Sequence, residues 1–336
     1  MNEYESVNIK DDFQNNSPDE FVLRFNEVEK IFKSGRIVNH ALDNVSIGIK
    51  KGETLAVVGE SGSGKTTMGL AAVKLLDITR GSIFFENQDV SKLRGRKLFK
   101  FRSKTQMIFQ DPYSSLNPFN TIYKSVSSPL VSFRKDLNQE KRRELVAEML
   151  DRVGLQPGNS FLDVFPKSLS GGQRQRVSIA RSLIMNPSFI VADEPTSMLD
   201  VSISATVINL LKKLKSEMKF SMMYISHELA TSRFIGDKMA VMNFGRVVEY
   251  GDADEVAKHP MHPYSEILIN SMPDLENNNK NHITKLNLDF NFYNGGIKGC
   301  SFAHFCPFKK DQCETERPQL KKVRNEHYVA CFYPLL

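Results

Sequence analysis

No run in this 336-residue chain approaches the ~20 consecutive apolar residues that a bilayer-crossing helix needs. Any association with a membrane is therefore expected to come through a partner. The N-terminus lacks the apolar core of a secretory leader. Residues 1–20 are polar and mostly acidic, so a disordered tail on a chain kept in the cytosol is expected. Cysteine is absent until Cys300, and all four fall between there and Cys331. Disulfides are not expected in the cytosol, so that clustering calls for another explanation. Nor is there a large excess of one charge: 45 Lys and Arg against 39 Asp and Glu leave +6. Short basic clusters at 141–143 and 212–215 read as solvated helix faces, and no nucleic-acid partner is expected. A composition of 40% hydrophobic and 25% charged residues suits a globular chain with one large core and a small second unit.

Order is expected to begin at residue 21, with strands over 21–25 and 27–32 and another over 41–50. Residues 55–58 form a short apolar strand that feeds a glycine-rich loop, and 67–76 follow as a helix. Two further buried strands, 189–192 and 221–225, end in polar residues, as at the carboxyl edge of a parallel sheet where ligands bind. Residues 201–219 have helical apolar spacing, 121–155 read as a helical insertion, and 238–250 read as a hairpin turning at 244–246. The Asn-rich stretch 276–281 has linker composition.

Gly59-Glu60-Ser61-Gly62-Ser63-Gly64-Lys65-Thr66, followed by Thr67, fits G-x-x-x-x-G-K-S/T between a strand and a helix. Glycines let successive amides converge on phosphate oxygens, and the helix adds its positive end. Lys65 would reach the β- and γ-phosphates, and the Thr66 hydroxyl would ligate Mg²⁺. Asp193, at the end of an apolar strand, is placed to hold Mg²⁺ through its water shell. Glu194 follows where a carboxylate could orient or deprotonate an attacking water. A second phosphate-binding helix start lies at Ser170-Gly171-Gly172-Gln173. One nucleotide does not need two such loops from one chain, so this loop is expected to serve a nucleotide held by another subunit.

With Leu169 in front of those four residues, the chain resembles the ATP-binding-cassette (ABC) family, whose signature is Leu-Ser-Gly-Gly-Gln. The resemblance implies an α/β P-loop NTPase fold: a mixed-sheet core with an antiparallel β subdomain and a helical subdomain. It also implies a head-to-tail dimer in which each signature closes over the partner's ATP. Gln110 matches the glutamine that senses Mg²⁺ and couples to membrane domains, Ser197-Met198-Leu199-Asp200 the D-loop, and His227 the switch histidine at the γ-phosphate. Phe32 falls where the family stacks an aromatic ring on adenine. Met198 stands in place of the usual small residue, and Lys167-Ser168 precede the signature where many relatives have His-Glu. Neither departure makes the site look degenerate.

The stretch from Phe109 to Pro118, the motifs at 245–249 and 262–265, and the C-terminal cysteine pattern resemble the oligopeptide, dipeptide and nickel importer subfamily, on the side of the second of its paired ATPases. Expected domains are a tail at 1–20, a nucleotide-binding domain at 21–256 with its helical subdomain at about 90–165, and an extension at 257–336. The resemblance implies ATP hydrolysis coupled to peptide import. Implied partners are a second ATPase subunit (paralogue or self), two membrane permeases and a solute-binding protein, at the cytoplasmic face of the membrane. Five, six and seventeen residues separate Cys300, Cys306, Cys313 and Cys331. Four thiolates suit Zn²⁺ or a 4Fe–4S cluster, and the gaps fit no zinc-finger spacing. Several relatives are understood to hold a cluster there, so iron–sulfur is expected ahead of zinc. Competing readings are a soluble ABC ATPase acting on ribosomes or DNA, a sugar or nickel importer of the same subfamily, and a metal-regulated interaction protein. The soluble relatives usually carry paired cassettes or long coiled coils, which this sequence lacks.

Overall fold

The computed structural model describes residues 9, 17–35, 37–270, 297–324 and 326–335. The expected linker at 276–281 lies outside them, as does most of the 1–20 tail. Within that tail Ile9 is buried, its N–H donating to the Leu320 carbonyl at 3.3 Å, and Pro18–Glu20 form a 3-10 turn.

Strands β1 (Phe21–Ser34), β2 (Ile37–Lys50) and β3 (Thr54–Val58) precede helix α1 (Lys65–Ala72). They are followed by β4 (Arg80–Phe85), β5 (Gln88–Asp89), α2 (Gly95–Lys104) and β6 (Thr105–Ile108). Four helices come next, α3 (Pro112–Ser115), α4 (Ile122–Phe133), α5 (Gln139–Arg152) and α6 (Gly171–Leu183). Then β7 (Phe189–Asp193), α7 (Val201–Met218), β8 (Ser221–Ile225), α8 (Leu229–Ile235), β9 (Lys238–Asn243) and β10 (Arg246–Asp252) alternate. The C-terminal part holds α9 (Ala253–Lys258), α10 (Pro263–Asn270), α11 (Asp311–Thr315), β11 (Lys321–Arg324) and β12 (His327–Val329). The chain divides into two compact units, one of residues 1–50, 54–91 and 225–336, the other of 51–53 and 92–224.

The first unit contains an antiparallel sheet in the order β2-β1-β4-β5 and the strand series β11-β12-β10-β9-β3, in which β3 and β9 run parallel. The two strands expected at 21–25 and 27–32 are one strand with a bulge: Glu27 has φ 50°, and its N–H donates to Ser46 Oγ at 2.9 Å. A bulge leaves one residue unpaired without ending the ladder, so the pairing resumes at Val28. All five β3 residues are buried, the pattern of a strand covered on both faces. Helix α1 begins two residues before the expected start and stops at Ala72. It cannot continue through Lys74, whose backbone is left-handed (φ 55°) and whose buried ammonium is held by Asp77 and the Ser91 carbonyl. Val58, Val241, Val248, Tyr264 and Phe302 share one core cluster, so the C-terminal extension packs on the strands that carry the loop.

In the second unit β8, β7 and β6 lie side by side, with β6 and β7 parallel and paired from Thr105↔Phe189 to Ile108↔Ala192. The helical insertion expected over 121–155 is the pair α4 and α5. Each starts on a side-chain cap: Thr121 accepts from Lys124 N–H and Asn138 from Lys141 N–H. Helix α7 matches the expected 201–219 and ends where Lys219 turns left-handed at φ 56°.

Candidate nucleotide site

The phosphate loop departs from the buried end of β3. Gly59 has φ 148°, and a Cβ there would lie 2.2 Å from the Met242 carbonyl oxygen. Gly64 has φ 104°, and its Cβ would lie 2.3 Å from the Ala41 carbonyl oxygen. Neither position accepts a side chain. Lys65 is 6% exposed, and its ammonium donates to Gly59 O (2.7 Å), Glu60 O (2.8 Å) and Ser63 Oγ (3.4 Å). The loop thus presents its one cation inward, with Thr66 and Thr67 on the first turn of α1.

Two contacts support this loop that its own sequence does not announce. The Gly245 N–H, at the tip of the β9–β10 hairpin, donates to Ser63 O at 2.8 Å. The Glu60 N–H donates to the Tyr264 hydroxyl at 2.9 Å across 204 residues of sequence. Burial pushes the Tyr264 phenol up to about 12, so it stays protonated. Tyr264 lies in a motif noted only as a subfamily match and Gly245 at the expected hairpin turn, and nothing local in the loop could have named either as its support. In the same unit, the Ser226 N–H donates to Val57 O at 3.1 Å, which fixes the segment leading to the exposed His227. Phe32 is 42% exposed with the Lys30 ammonium 4.9 Å from its ring centre.

The second unit holds the remaining expected residues. Asp193 is buried at the end of β7. Glu194 follows with φ 42°, a left-handed backbone uncommon for a residue with a Cβ and found where surrounding structure enforces it. Gln110 Nε2 donates to Glu194 Oε2 at 2.9 Å, so the expected sensor glutamine and the expected water-orienting carboxylate are joined directly. Ser170 caps α6 in a reciprocal box. Its Oγ accepts from Gln173 N–H at 3.3 Å, while Gln173 Oε1 accepts from Ser170 N–H at 3.0 Å. A Cβ on Gly172 would lie 2.7 Å from Ile203 Cγ2, so α6 and α7 pack too closely there for alanine. Asp200 takes the N-cap position of α7 without a side-chain capping bond, and Met198 beside it is 57% exposed.

The stretch after Gln110 is also tied to the signature helix. The Arg174 guanidinium lies 4.3 Å from the Tyr113 ring centre and donates from Nε to Pro166 O at 2.7 Å. Arg181 donates to Ser115 O at 2.7 Å, and its burial lowers its pKa. Sequence reasoning missed both arginines. Their only signal was position, about one and three turns into the helix that the signature starts.

Cys300, Cys306, Cys313 and Cys331 line one small cavity with His262. Cys300 Sγ accepts from Phe302 N–H at 3.4 Å and lies 3.9 Å from His262 Nε2. Burial raises the Cys300 and Cys306 thiols and pushes Cys331 up to about 12, with the neighbouring cysteines adding to the rise. Among the described residues, however, no group of three or more His, Cys, Asp or Glu has the arrangement to hold a metal ion. The expected iron–sulfur cluster therefore finds no support in the side-chain geometry.

The profile of the ABC transporter family matches residues 42–197, and that of the oligopeptide/dipeptide transporter C-terminal region matches 248–313. The chain is 41% identical over 322 residues to the oligopeptide transport ATP-binding protein AppF of Bacillus subtilis, covering 93% of this chain and 97% of the relative. It is 47% identical over 234 residues to OppF of Streptococcus mutans, covering 70% and 75%. Among solved structures it is similar to the ATP-binding cassette MJ0796, in a dimeric post-hydrolysis state bound to ADP and Pi. That match has a TM-score of 0.63 and 34% identity, over 69% of this chain and 98% of the other. The chain belongs to the ABC transporter family and is an ATPase of it. Its C-terminal part assigns it to the oligopeptide/dipeptide branch. No described helix is long and apolar enough to cross a membrane.

Proposed function

We propose that this chain is the ATP-hydrolysing subunit that energises peptide import, bound to the cytoplasmic side of a membrane through two permeases. The observation that carries the reading is the match to AppF over 97% of that protein, C-terminal region included. The chain works as one half of a head-to-tail ATPase pair, with a paralogue or a second copy of itself. Lys65 neutralises phosphate charge, and the loop amides orient the phosphates. The Thr66 hydroxyl, the Asp193 carboxylate and the Gln110 amide are hard oxygen donors that fit Mg²⁺, which when bound supplies charge neutralisation. Glu194 orients the water, His227 meets the γ-phosphate, Phe32 stacks on adenine, and Ser170–Gln173 with Asp200 serve the nucleotide of the partner. A solute-binding protein delivers the cargo.

In cells that make the protein, Lys65→Ala is expected to abolish uptake of labelled oligopeptides while the chain still co-purifies with integral membrane subunits. Peptide uptake that persists would overturn the peptide reading. A loss confined to a sugar or nickel would redirect the cargo, and recovery with ribosomes or DNA in place of permeases would overturn the transporter role itself.

A second reading concerns the four thiols, which we infer hold a 4Fe–4S cluster or Zn²⁺, although among the described residues they are not arranged for a metal ion. It is favoured by one observation: all four, from three separate segments, line the same cavity. Burial favours the protonated thiols of Cys300, Cys306 and Cys331, so loading there must release protons. Anaerobically purified protein is expected to contain iron with acid-labile sulfide, or one zinc, and to lose it in Cys331→Ser. Protein free of both metals would end this reading.

A further inference from the structure

The segment from Lys92 to Gln110 carries seven Lys or Arg and no Asp or Glu. Its helix, α2, buries Phe101 and leaves Arg96, Lys97, Lys100 and Lys104 exposed. At 100° per residue the four exposed cations share one arc of the helix, and Phe99 lies at the edge of that arc. Phe99 is 48% exposed, and its ring stacks on Phe133 of α4 with centroids 4.0 Å apart. Val131, in the last turn of α4, is 49% exposed, and no acid occurs in α4. The nucleotide chemistry uses none of these side chains.

A cationic helix face bordered by exposed aromatic and aliphatic side chains has the composition of a surface that lies on an anionic bilayer. We propose that α2, with the Phe99–Phe133 pair and Val131, is a docking surface for the anionic phospholipid headgroups of the membrane at which this ATPase works. The cations attract the charged leaflet, and the rings enter the headgroup boundary without any spanning segment. The contact would hold the second unit against the membrane independently of the permeases. Charge complementarity alone would also admit an RNA. The exposed phenylalanine edge and the membrane setting of the ABC transporter family favour the lipid. The inference does not depend on which cargo is carried.

The test is flotation of the purified full-length protein with phosphatidylcholine vesicles, with and without phosphatidylglycerol. Binding is expected only to the phosphatidylglycerol vesicles and should weaken as salt is raised. Each exposed cation near such a surface contributes roughly a factor of five. The triple variant R96Q/K97Q/K100Q is therefore expected to bind about 100-fold more weakly, with soluble ATP turnover retained. Phe99→Ala should also weaken binding, by a smaller factor. Lys213→Gln, on the separate basic cluster of α7, should not. Equal binding to neutral vesicles, no effect of the triple variant, or an equal loss in Lys213→Gln would each overturn the proposal. Retention by single-stranded RNA without retention by vesicles would overturn it in favour of a nucleic-acid surface.

Discussion

Glu194→Gln is expected to cut ATP turnover by about 10²–10⁴-fold while leaving ATP bound, because it removes the carboxylate proposed to act on the attacking water without changing the shape of the side chain. The carboxylate is already oriented: Gln110 Nε2 donates to its Oε2 at 2.9 Å. Its left-handed backbone is held from behind by Ser197, whose N–H and Oγ both donate to the Glu194 carbonyl at 3.2 and 3.0 Å. Such a strained position persists only when its surroundings over-determine it, and a glutamine can occupy the same pose. With binding intact and hydrolysis stopped, ATP-bound pairs should accumulate. Gel filtration with ATP should show a dimer for the variant and a monomer for the wild type. Unchanged turnover in the variant would remove Glu194 from the chemistry.

The largest effect on stability is expected from Asp43→Asn, which should cost about 3 kcal/mol by denaturant unfolding at neutral pH, the scale for breaking a buried ion pair. Asp43 on β2 receives Arg246 Nε at 2.7 Å and Arg317 at 2.9 Å, and Arg317 also donates to its carbonyl oxygen at 2.6 Å. Arg246 in turn donates to the carbonyls of Gly299 and Ile297, at the start of the cysteine-bearing segment. Without the carboxylate, two guanidinium groups face each other with no counter-charge. Burial acts to raise the Asp43 pKa, but the two arginines outweigh it and hold the carboxyl below its ordinary value of 3.8. A lowered folded-state value gives stability that is complete above 3.8 and is lost as pH falls through the lower value. The gap between wild type and variant should therefore be full at neutral pH and close in strong acid. A gap unchanged down to the lowest pH at which the protein stays folded would show that the charge plays no part.

What the sequence made legible was whatever is encoded locally. The run 55–58, the loop Gly59–Thr67 and the helix over 201–219 each carry their signal within a few neighbouring residues, and the structure matches them. The β4–β5 hairpin did not stand out, because its turn uses Glu86 and Asn87, both left-handed, where a glycine would have marked it. Strands β6, β11 and β12 are three or four residues long, too short for alternation to register. The supports of the site were illegible for a different reason. Tyr264 reaches Glu60 and Arg317 reaches Asp43 across 204 and 274 residues, and nothing in the pattern around a tyrosine or an arginine says which distant group it will meet. The four cysteines were conspicuous as a set, yet their convergence on one cavity became visible only after 313 and 331 were brought together by the fold.

The hydroxyl of Tyr264 beneath the phosphate loop has a consequence for modularity. The segment that the cassette family shares, 42–197, contains the loop but neither Tyr264 nor the hairpin tip at Gly245 that closes it from the other side. A transplant of that segment into another transporter would carry the phosphate loop, the signature and Glu194, but would leave His227 behind and the Glu60 N–H and the Ser63 carbonyl to be satisfied by whatever the host provides. The portable unit of this ATPase is thus larger than its shared motifs. An exchange of parts between relatives would have to take the C-terminal extension with the cassette, as one heritable piece.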